Sequence, residues 1–178
     1  PDCQLKAMCD LSDERLAHMK ALYPDVHGEM DFENMLKGDD LDAIVIATSV
    51  GTHYKMAKAS LLAGKHTMIE KPMAASSEQC EELVDIAKKN GLVLMVGHTF
   101  LYSAPVRKIK DLVDKGEIGD LRYISSRRLN LGLFQRDINV AWDLAPHDLS
   151  IVLYVMSDLP ESVNCWGNCH VRPGVEDI

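Results

Sequence analysis

Residues 41–72 constrain the fold of this chain more than any other stretch. Residues 41–49 (LDAIVIATS) are an almost unbroken apolar run of strand formers, the pattern of a strand buried on both faces in a parallel sheet. Residues 52–63 place Met56, Ala59, Leu62 and Ala63 along one side of a helix, with Gly64 where a C-terminal cap is needed. Residues 66–69 form a second apolar strand, ended by Glu70-Lys71-Pro72. A strand-helix-strand unit makes its two strands parallel neighbours, because the crossover returns the chain to the same end of the sheet. Open parallel sheets bind ligands at the carboxyl ends of their strands, and Thr48, His53, Glu70 and Lys71 all fall there.

The surrounding chain alternates in the same way. Residues 4–9 predict a short strand ending at Asp10, followed by a helix capped by Ser12 or Asp13 and running to about Leu22. Residues 26–30 predict another short strand and 32–36 a short helix. Ser76 and Gln79 make a capping box for a helix that stops at Asn90-Gly91, and residues 92–96 form a further buried strand before Gly97-His98. A helix over 104–115 follows, with Ser103 as cap, Pro105 in its first turn and Gly116 at its end.

The pattern changes near Tyr102. This predicts a doubly wound α/β domain over 1–101 and an α+β domain beginning at 102 and continuing to 178. Residues 121–130 and 161–172 mix polar and apolar side chains, as antiparallel strands with one solvated face do. Between them, residues 142–148 open an apolar helix to about Met156, and Pro146 is expected in its first turn.

A hydrophobic content of 47% over 178 residues suffices for a packed core. No apolar run approaches the ~20 residues of a membrane helix, so a cytoplasmic protein with no membrane partner is expected. The formal charge of -8 argues against nucleic acid and for a small-molecule or protein partner. Five scattered cysteines fit reduced thiols. Cys165, Cys169 and His170 lie in a predicted strand whose four-residue spacing spans roughly 13 Å, so no metal site is expected there.

Taken singly, several of these residues have plain readings. Asp10 is equally a loop aspartate before a helix, and Lys71 a surface lysine beside Glu70. Asp143 can be a helix cap, and His147 a satisfied core histidine.

The ordered series Ile46-Ala47-Thr48, Thr52-His53, Ala63-Gly64-Lys65-His66, Glu70-Lys71-Pro72, Val96-Gly97-His98 and Asp143-x-x-x-His147-Asp148 resembles the Gfo/Idh/MocA family of oxidoreductases. The resemblance implies a Rossmann-type doubly wound parallel sheet, followed by a domain built on an open, mostly antiparallel sheet. It further implies hydride transfer between NAD(P) and a hydroxyl carbon of a sugar, cyclitol or nucleotide sugar, and a homo-oligomer.

Removing a hydride from an alcohol also requires a base within reach of the hydroxyl proton. By resemblance Lys71 and His147 share that acid-base work and contact the substrate, with Asp143 orienting them. Burial at a strand end would lower the Lys71 pKa toward neutrality. The resemblance also assigns Thr48, His53, Glu70, Lys71 and His98 to the cofactor. Asp10 goes to the adenosine ribose, favouring NAD over NADP because its charge repels a 2′-phosphate. Arg127, Arg128, Asn130, Asn139 and Tyr102 fall on the substrate side. Successive strand residues point to opposite faces, so at most one of Arg127 and Arg128 is expected to reach a ligand.

Two features depart from the family pattern. Ser49-Val50-Gly51 replaces a proline-containing loop, and none of the eleven glycines forms a G-x-G-x-x-G turn. The strand and turn that bind the pyrophosphate are therefore expected ahead of Gln4, in a longer oxidoreductase of which this is an internal piece. Without them the doubly wound order leaves a gap between the strands at 4–9 and 41–49. A non-catalytic binding or regulatory protein on this fold, or a reductase of a non-sugar carbonyl, imine or tetrapyrrole, are the alternatives.

Overall fold

The computed structural model describes residues 3–129 and 138–178. The chain divides into two compact units, Pro1–Met95 and Val96–Ile178.

The first unit alternates strands and helices: β1 (Ala7–Cys9), α1 (Asp13–Leu22), β2 (His27–Glu29), α2 (Phe32–Leu36), β3 (Ala43–Ile46), α3 (Val50–Leu62), β4 (His66–Ile69), α4 (Ser77–Lys89) and β5 (Leu94–Val96). Strand β1 pairs in parallel with β2, Ala7 opposite His27 and Cys9 opposite Glu29. Strand β3 pairs in parallel with β4, from Ala43 opposite His66 to Ile46 opposite Ile69, and β5 joins the far edge of β4. Strands β1 and β2 thus form a two-stranded parallel sheet and β3, β4 and β5 a three-stranded one, in the order β3-β4-β5.

Local chemistry fixes the element ends. Ser12 caps α1 by accepting from the Arg15 N–H, and Asp31 caps α2 by accepting from Glu33 and Asn34. The predicted capping box opens α4: Ser76 Oγ accepts from Gln79 N at 3.4 Å, while Gln79 Oε1 accepts from Ala75 N at 3.1 Å. Gly64 and Gly91 end α3 and α4 at φ 77° and 65°, a region costly for side chains with a Cβ.

Ile44 and Ile46 of β3, Ile69 of β4, Ala57 and Leu61 of α3, and Leu83 and Ala87 of α4 make the core, with Leu36. Each large aliphatic buried there contributes roughly 1.5–3 kcal/mol. Two expectations need correction. Helix α3 fully buries His53, Ala57, Ser60 and Leu61; of the expected stripe, Met56 and Ala59 are half-buried against the core, while Ala63 is exposed and Leu62 is 65% exposed. The buried face includes two polar residues whose groups are satisfied internally, so an apolar stripe located only part of it. Strand β3 alternates instead of being covered twice: Ile44 and Ile46 are buried while Val45 is 68% exposed.

The second unit has a short 3-10 helix at Thr99–Tyr102, α5 (Ala104–Asp114) and α6 (Val140–Met156), which pack on one another. Ser103 stands at the N-cap of α5, but its hydroxyl donates to the Phe100 carbonyl at 2.7 Å instead of capping. Helix α6 starts two residues earlier than predicted, which places Pro146 in its second turn. Asn139 sets that start by accepting from Trp142 N at 3.0 Å.

Residues 121–129 and 161–172, predicted as strands, form no ladder among the described residues. A polar-apolar alternation makes a strand only where a partner supplies hydrogen bonds. The end of the chain folds back on itself instead: His170 and Val171 donate main-chain N–H groups to Asp177, and Asn168 exchanges main-chain bonds with Asp177 and Ile178. The straight-strand spacing assumed for Cys165, Cys169 and His170 therefore does not hold. Among the described residues no helix is long and apolar enough to cross a membrane.

Candidate functional site

Because β3 and β4 run parallel and in register, their carboxyl ends lie side by side, with Glu70 N donating to the Ile46 carbonyl at 2.9 Å. Two loops leave this edge, one carrying Thr48 and the other Glu70-Lys71-Pro72. Glu70 and Lys71 are half-buried and Thr48 is exposed. The Lys71–Pro72 peptide is cis.

His53 ties the loops together. It is 1% exposed, and its Nδ1 and Nε2 face the carbonyl oxygens of Pro72 and Thr48 at 2.8 Å and 3.0 Å. Both ring nitrogens are committed to main chain, so the expected cofactor-facing role of His53 gives way to a brace beneath the site. In the loop before α3 the Thr52 hydroxyl donates to the Ser49 carbonyl at 2.8 Å and meets Thr48 Oγ1 at 2.7 Å.

Asp10 follows β1 directly. Its Oδ1 accepts from Ser12 N at 2.9 Å, and Arg15 Nη1 lies 3.5 Å from Oδ2. Asp10, Ser12, Arg15 and His18 line an open cavity of about 880 Å³. The carboxylate thus faces space and keeps acceptor capacity for hydroxyl groups.

In the second unit, His98 precedes the 3-10 helix. Burial pushes its imidazole below the usual histidine value, and its buried Nδ1 has no hydrogen-bond partner among the described residues. Two residues on, the Phe100 ring packs edge-to-face on His147 of α6, with centroids 4.9 Å apart and planes at 77°. Asp143 lies one turn before His147, and both are half-buried. The Arg128 guanidinium lies 5.3 Å from the Phe100 ring centre, and its Nε donates to Asp148 Oδ2 at 2.5 Å. Ser126 Oγ donates to the other Asp148 oxygen at 2.8 Å. The Arg128 bond, chiefly, holds the Asp148 carboxyl below the usual carboxylate range, with the Ser126 hydroxyl and the charge of His147 acting the same way.

The substrate-side expectations change accordingly. Arg128 is engaged by Asp148 and Phe100. Arg127 and Arg128 line one cavity of about 370 Å³ with Leu129, Leu144 and Asp148, because 121–129 is not pleated into a ladder and need not alternate. Asn139 is the helix cap, and its Nδ2 donates to Glu176 Oε2 at 3.3 Å, so both ends of its amide are used. The Tyr102 ring lies under Arg107, 5.5 Å away. Asn130 lies outside the described residues. Sequence reasoning missed Phe100, which sits in no motif, and gave Asp148 no role although it follows His147 directly.

Comparison with known proteins gives these sites a setting. The family model for the "Oxidoreductase family, NAD-binding Rossmann fold" matches residues 1–98, and that for the "GFO/IDH/MocA C-terminal domain" matches 106–178. The chain belongs to the Gfo/Idh/MocA oxidoreductase family. Among Gfo/Idh/MocA relatives, a 1-carboxy-3-chloro-3,4-dihydroxycyclohexa-1,5-diene dehydrogenase of Comamonas testosteroni is 32% identical over 161 residues, covering 84% of this chain and 40% of the relative. A dTDP-3,4-didehydro-2,6-dideoxy-alpha-D-glucose 3-reductase of Streptomyces violaceoruber is 36% identical over 95 residues, 53% of this chain and 28% of its own. The scyllo-inositol dehydrogenase of Lactobacillus casei, solved with NAD(H) and scyllo-inositol, superimposes with a TM-score of 0.72 over 85% of this chain and 48% of that one. At 22% identity that likeness speaks to the fold alone. The chain spans about half the length, or less, of the curated relatives it matches.

Proposed function

We propose that the protein is an NAD-dependent oxidoreductase that moves a hydride between the nicotinamide and a hydroxyl-bearing carbon of a sugar, cyclitol or nucleotide sugar. The observation that carries this reading is the joined edge at β3 and β4, where one buried histidine fixes the Thr48 loop to the Lys71 turn. A parallel sheet presents its ligand site at such an edge. The residues present suit a dinucleotide. Asp10 offers a carboxylate at the rim of an open cavity, and the buried Nδ1 of His98 has no hydrogen-bond partner among the described residues. Thr48, Glu70, Lys71 and His98 would hold the cofactor, and Asp10 its adenosine ribose. When bound, the nicotinamide supplies the hydride acceptor or donor.

The protein's own part is the proton. Lys71 and His147 are the acid-base groups, taking the hydroxyl proton during oxidation and returning it during reduction, and Asp143 orients them. Arg127 contacts the substrate. Relatives acting on a cyclic dihydroxy acid and on a nucleotide sugar support a hydroxyl-rich small molecule as the class.

Asp10 favours NAD over NADP by repelling a 2′-phosphate. Arg15, 77% exposed beside it, screens part of that charge, so the preference is about tenfold, roughly 1.4 kcal/mol. Exposed Tyr123, Leu129, Val163 and Trp166 support a homo-oligomer of the full-length protein, to be read by light scattering.

The test is a screen of the full-length protein with NAD against cyclitols, sugars, nucleotide sugars and cyclic dihydroxy acids. Lys71→Ala and His147→Gln should each lower kcat/KM by at least ~10²-fold on whichever substrate turns over. Turnover that survives both substitutions would remove them from the chemistry. Failure of every substrate, with cofactor binding intact, would favour the binding-protein alternative.

A further inference from the structure

In the second unit one series of contacts leads to His147. Asp148, whose other carboxylate oxygen accepts from the Ser126 hydroxyl, holds the Arg128 guanidinium, Arg128 lies over Phe100, and Phe100 packs edge-on against the imidazole. We propose that Arg128, clamped by Asp148, is a positioning residue that fixes the His147 ring through Phe100, and that it does not bind substrate. The proposal rests on the reading of His147 as an acid-base group, because positioning matters most for a ring that must present one nitrogen to a reacting proton.

Geometry and charge both support it. A guanidinium is planar and stacks on an aromatic ring while its edge bonds a carboxylate, two demands a lysine cannot meet together. Arg128 meets both, with 30% of its side chain exposed. An edge-to-face aromatic pair contributes beyond the area it buries and has a preferred orientation, so fixing Phe100 narrows the orientations of His147. Asp148 follows His147 on the same helix and interacts with its charge, and Arg128 offsets that carboxylate.

Other charges on the packed elements have their own partners. On α5, Lys108 and Lys115 pair with Asp111, Lys110 pairs with Asp114 and lies near Tyr154, and Arg107 lies over Tyr102. His98 stands before the 3-10 helix, and Asp143 lies one turn before His147 on α6.

The signature is a pair of opposite shifts. Without Arg128, the Asp148 carboxylate stands uncompensated beside His147 and favours its protonated form. Without the Asp148 charge, the Arg128 cation disfavours it. The experiment follows the His147 imidazole by NMR during a pH titration of the full-length protein with labelled histidine, assigned by comparison with His147→Gln.

Arg128→Ala should raise the midpoint by about half a unit and Asp148→Asn should lower it by a similar amount. Arg128→Lys should keep the midpoint near that of the unaltered protein. Phe100→Leu should remove the ring-current displacement of the His147 protons while the fold, read by circular dichroism, persists. Once a substrate is known, the pH profile of kcat/KM should shift in the same two directions, with KM little changed.

If Arg128→Ala and Asp148→Asn move the midpoint the same way, or neither moves it, the proposal is wrong. A large rise in KM for Arg128→Lys with the midpoint unchanged would return Arg128 to the substrate. None of the NMR outcomes depends on turnover. Should His147 prove dispensable for activity while the opposite shifts are seen, the positioning contact stands and the acid-base assignment falls.

Discussion

Replacing His53 with phenylalanine probes how the joined edge is built. The ring is 1% exposed, and Phe, an aromatic ring somewhat larger than imidazole, opens no cavity there. What is lost is hydrogen bonding to the Pro72 carbonyl at 2.8 Å and the Thr48 carbonyl at 3.0 Å. A neutral imidazole donates to one of them and an imidazolium to both. Stranding the Pro72 carbonyl, in a buried residue, costs about 1–3 kcal/mol. The Thr48 carbonyl belongs to an exposed residue and can turn toward water, so it adds less.

His53→Phe should therefore lower unfolding stability by about 1–3 kcal/mol in a urea titration with an unchanged m-value. Lys55→Ala, on the exposed face of α3, should stay within about 0.5 kcal/mol. His53→Phe should also weaken reduced-nicotinamide binding, because two ligand loops lose their shared anchor. A stability within 0.5 kcal/mol of the unaltered protein, together with intact cofactor binding, would show that His53 braces nothing.

Three further outcomes follow from the same structure. Leu61→Ala, at a side chain with no exposure, should cost about 2–5 kcal/mol by urea unfolding. Asn139→Ala should cost about 1 kcal/mol through loss of the α6 cap, without altering KM, which a substrate contact would raise. Stability should also fall with acid through two groups. The folded-state pKa of His98 is depressed, so its contribution is present above the ordinary histidine value and fades as pH drops through the depressed one. Asp148 behaves likewise in the carboxylate range, present above the ordinary aspartate value and lost as pH falls through the lowered one. Urea unfolding of His98→Phe across pH 7 to 5 should show a flatter decline than the unaltered protein, about as steep a decline being the contrary result.

The first unit was legible because its signals are local. A capping box at Ser76, a glycine after α3 and after α4 and short apolar strands specify a parallel alternation of strands and helices. The burial face of α3 was only partly legible, since His53 and Ser60 are buried polar residues whose partners are main-chain carbonyls far away or one turn back. Asn139 read as a ligand residue because a cap and a ligand contact use the same amide. Residues 121–129 carry the alternation of a strand, but a strand also needs a partner, and nothing in the alternation names one. The Arg128–Phe100–His147 series joins three distant positions, and only the folded chain brings them together.

A fluorescence titration of the full-length protein with NADH and then NADPH, with Asp10→Asn beside it, tests the functional reading most directly. Saturable binding is expected for NADH, about tenfold tighter than for NADPH, and Asp10→Asn should bring the two together. Equal or tighter binding of NADPH by the unaltered protein would contradict the role of Asp10, and no saturable binding of either would contradict the oxidoreductase itself.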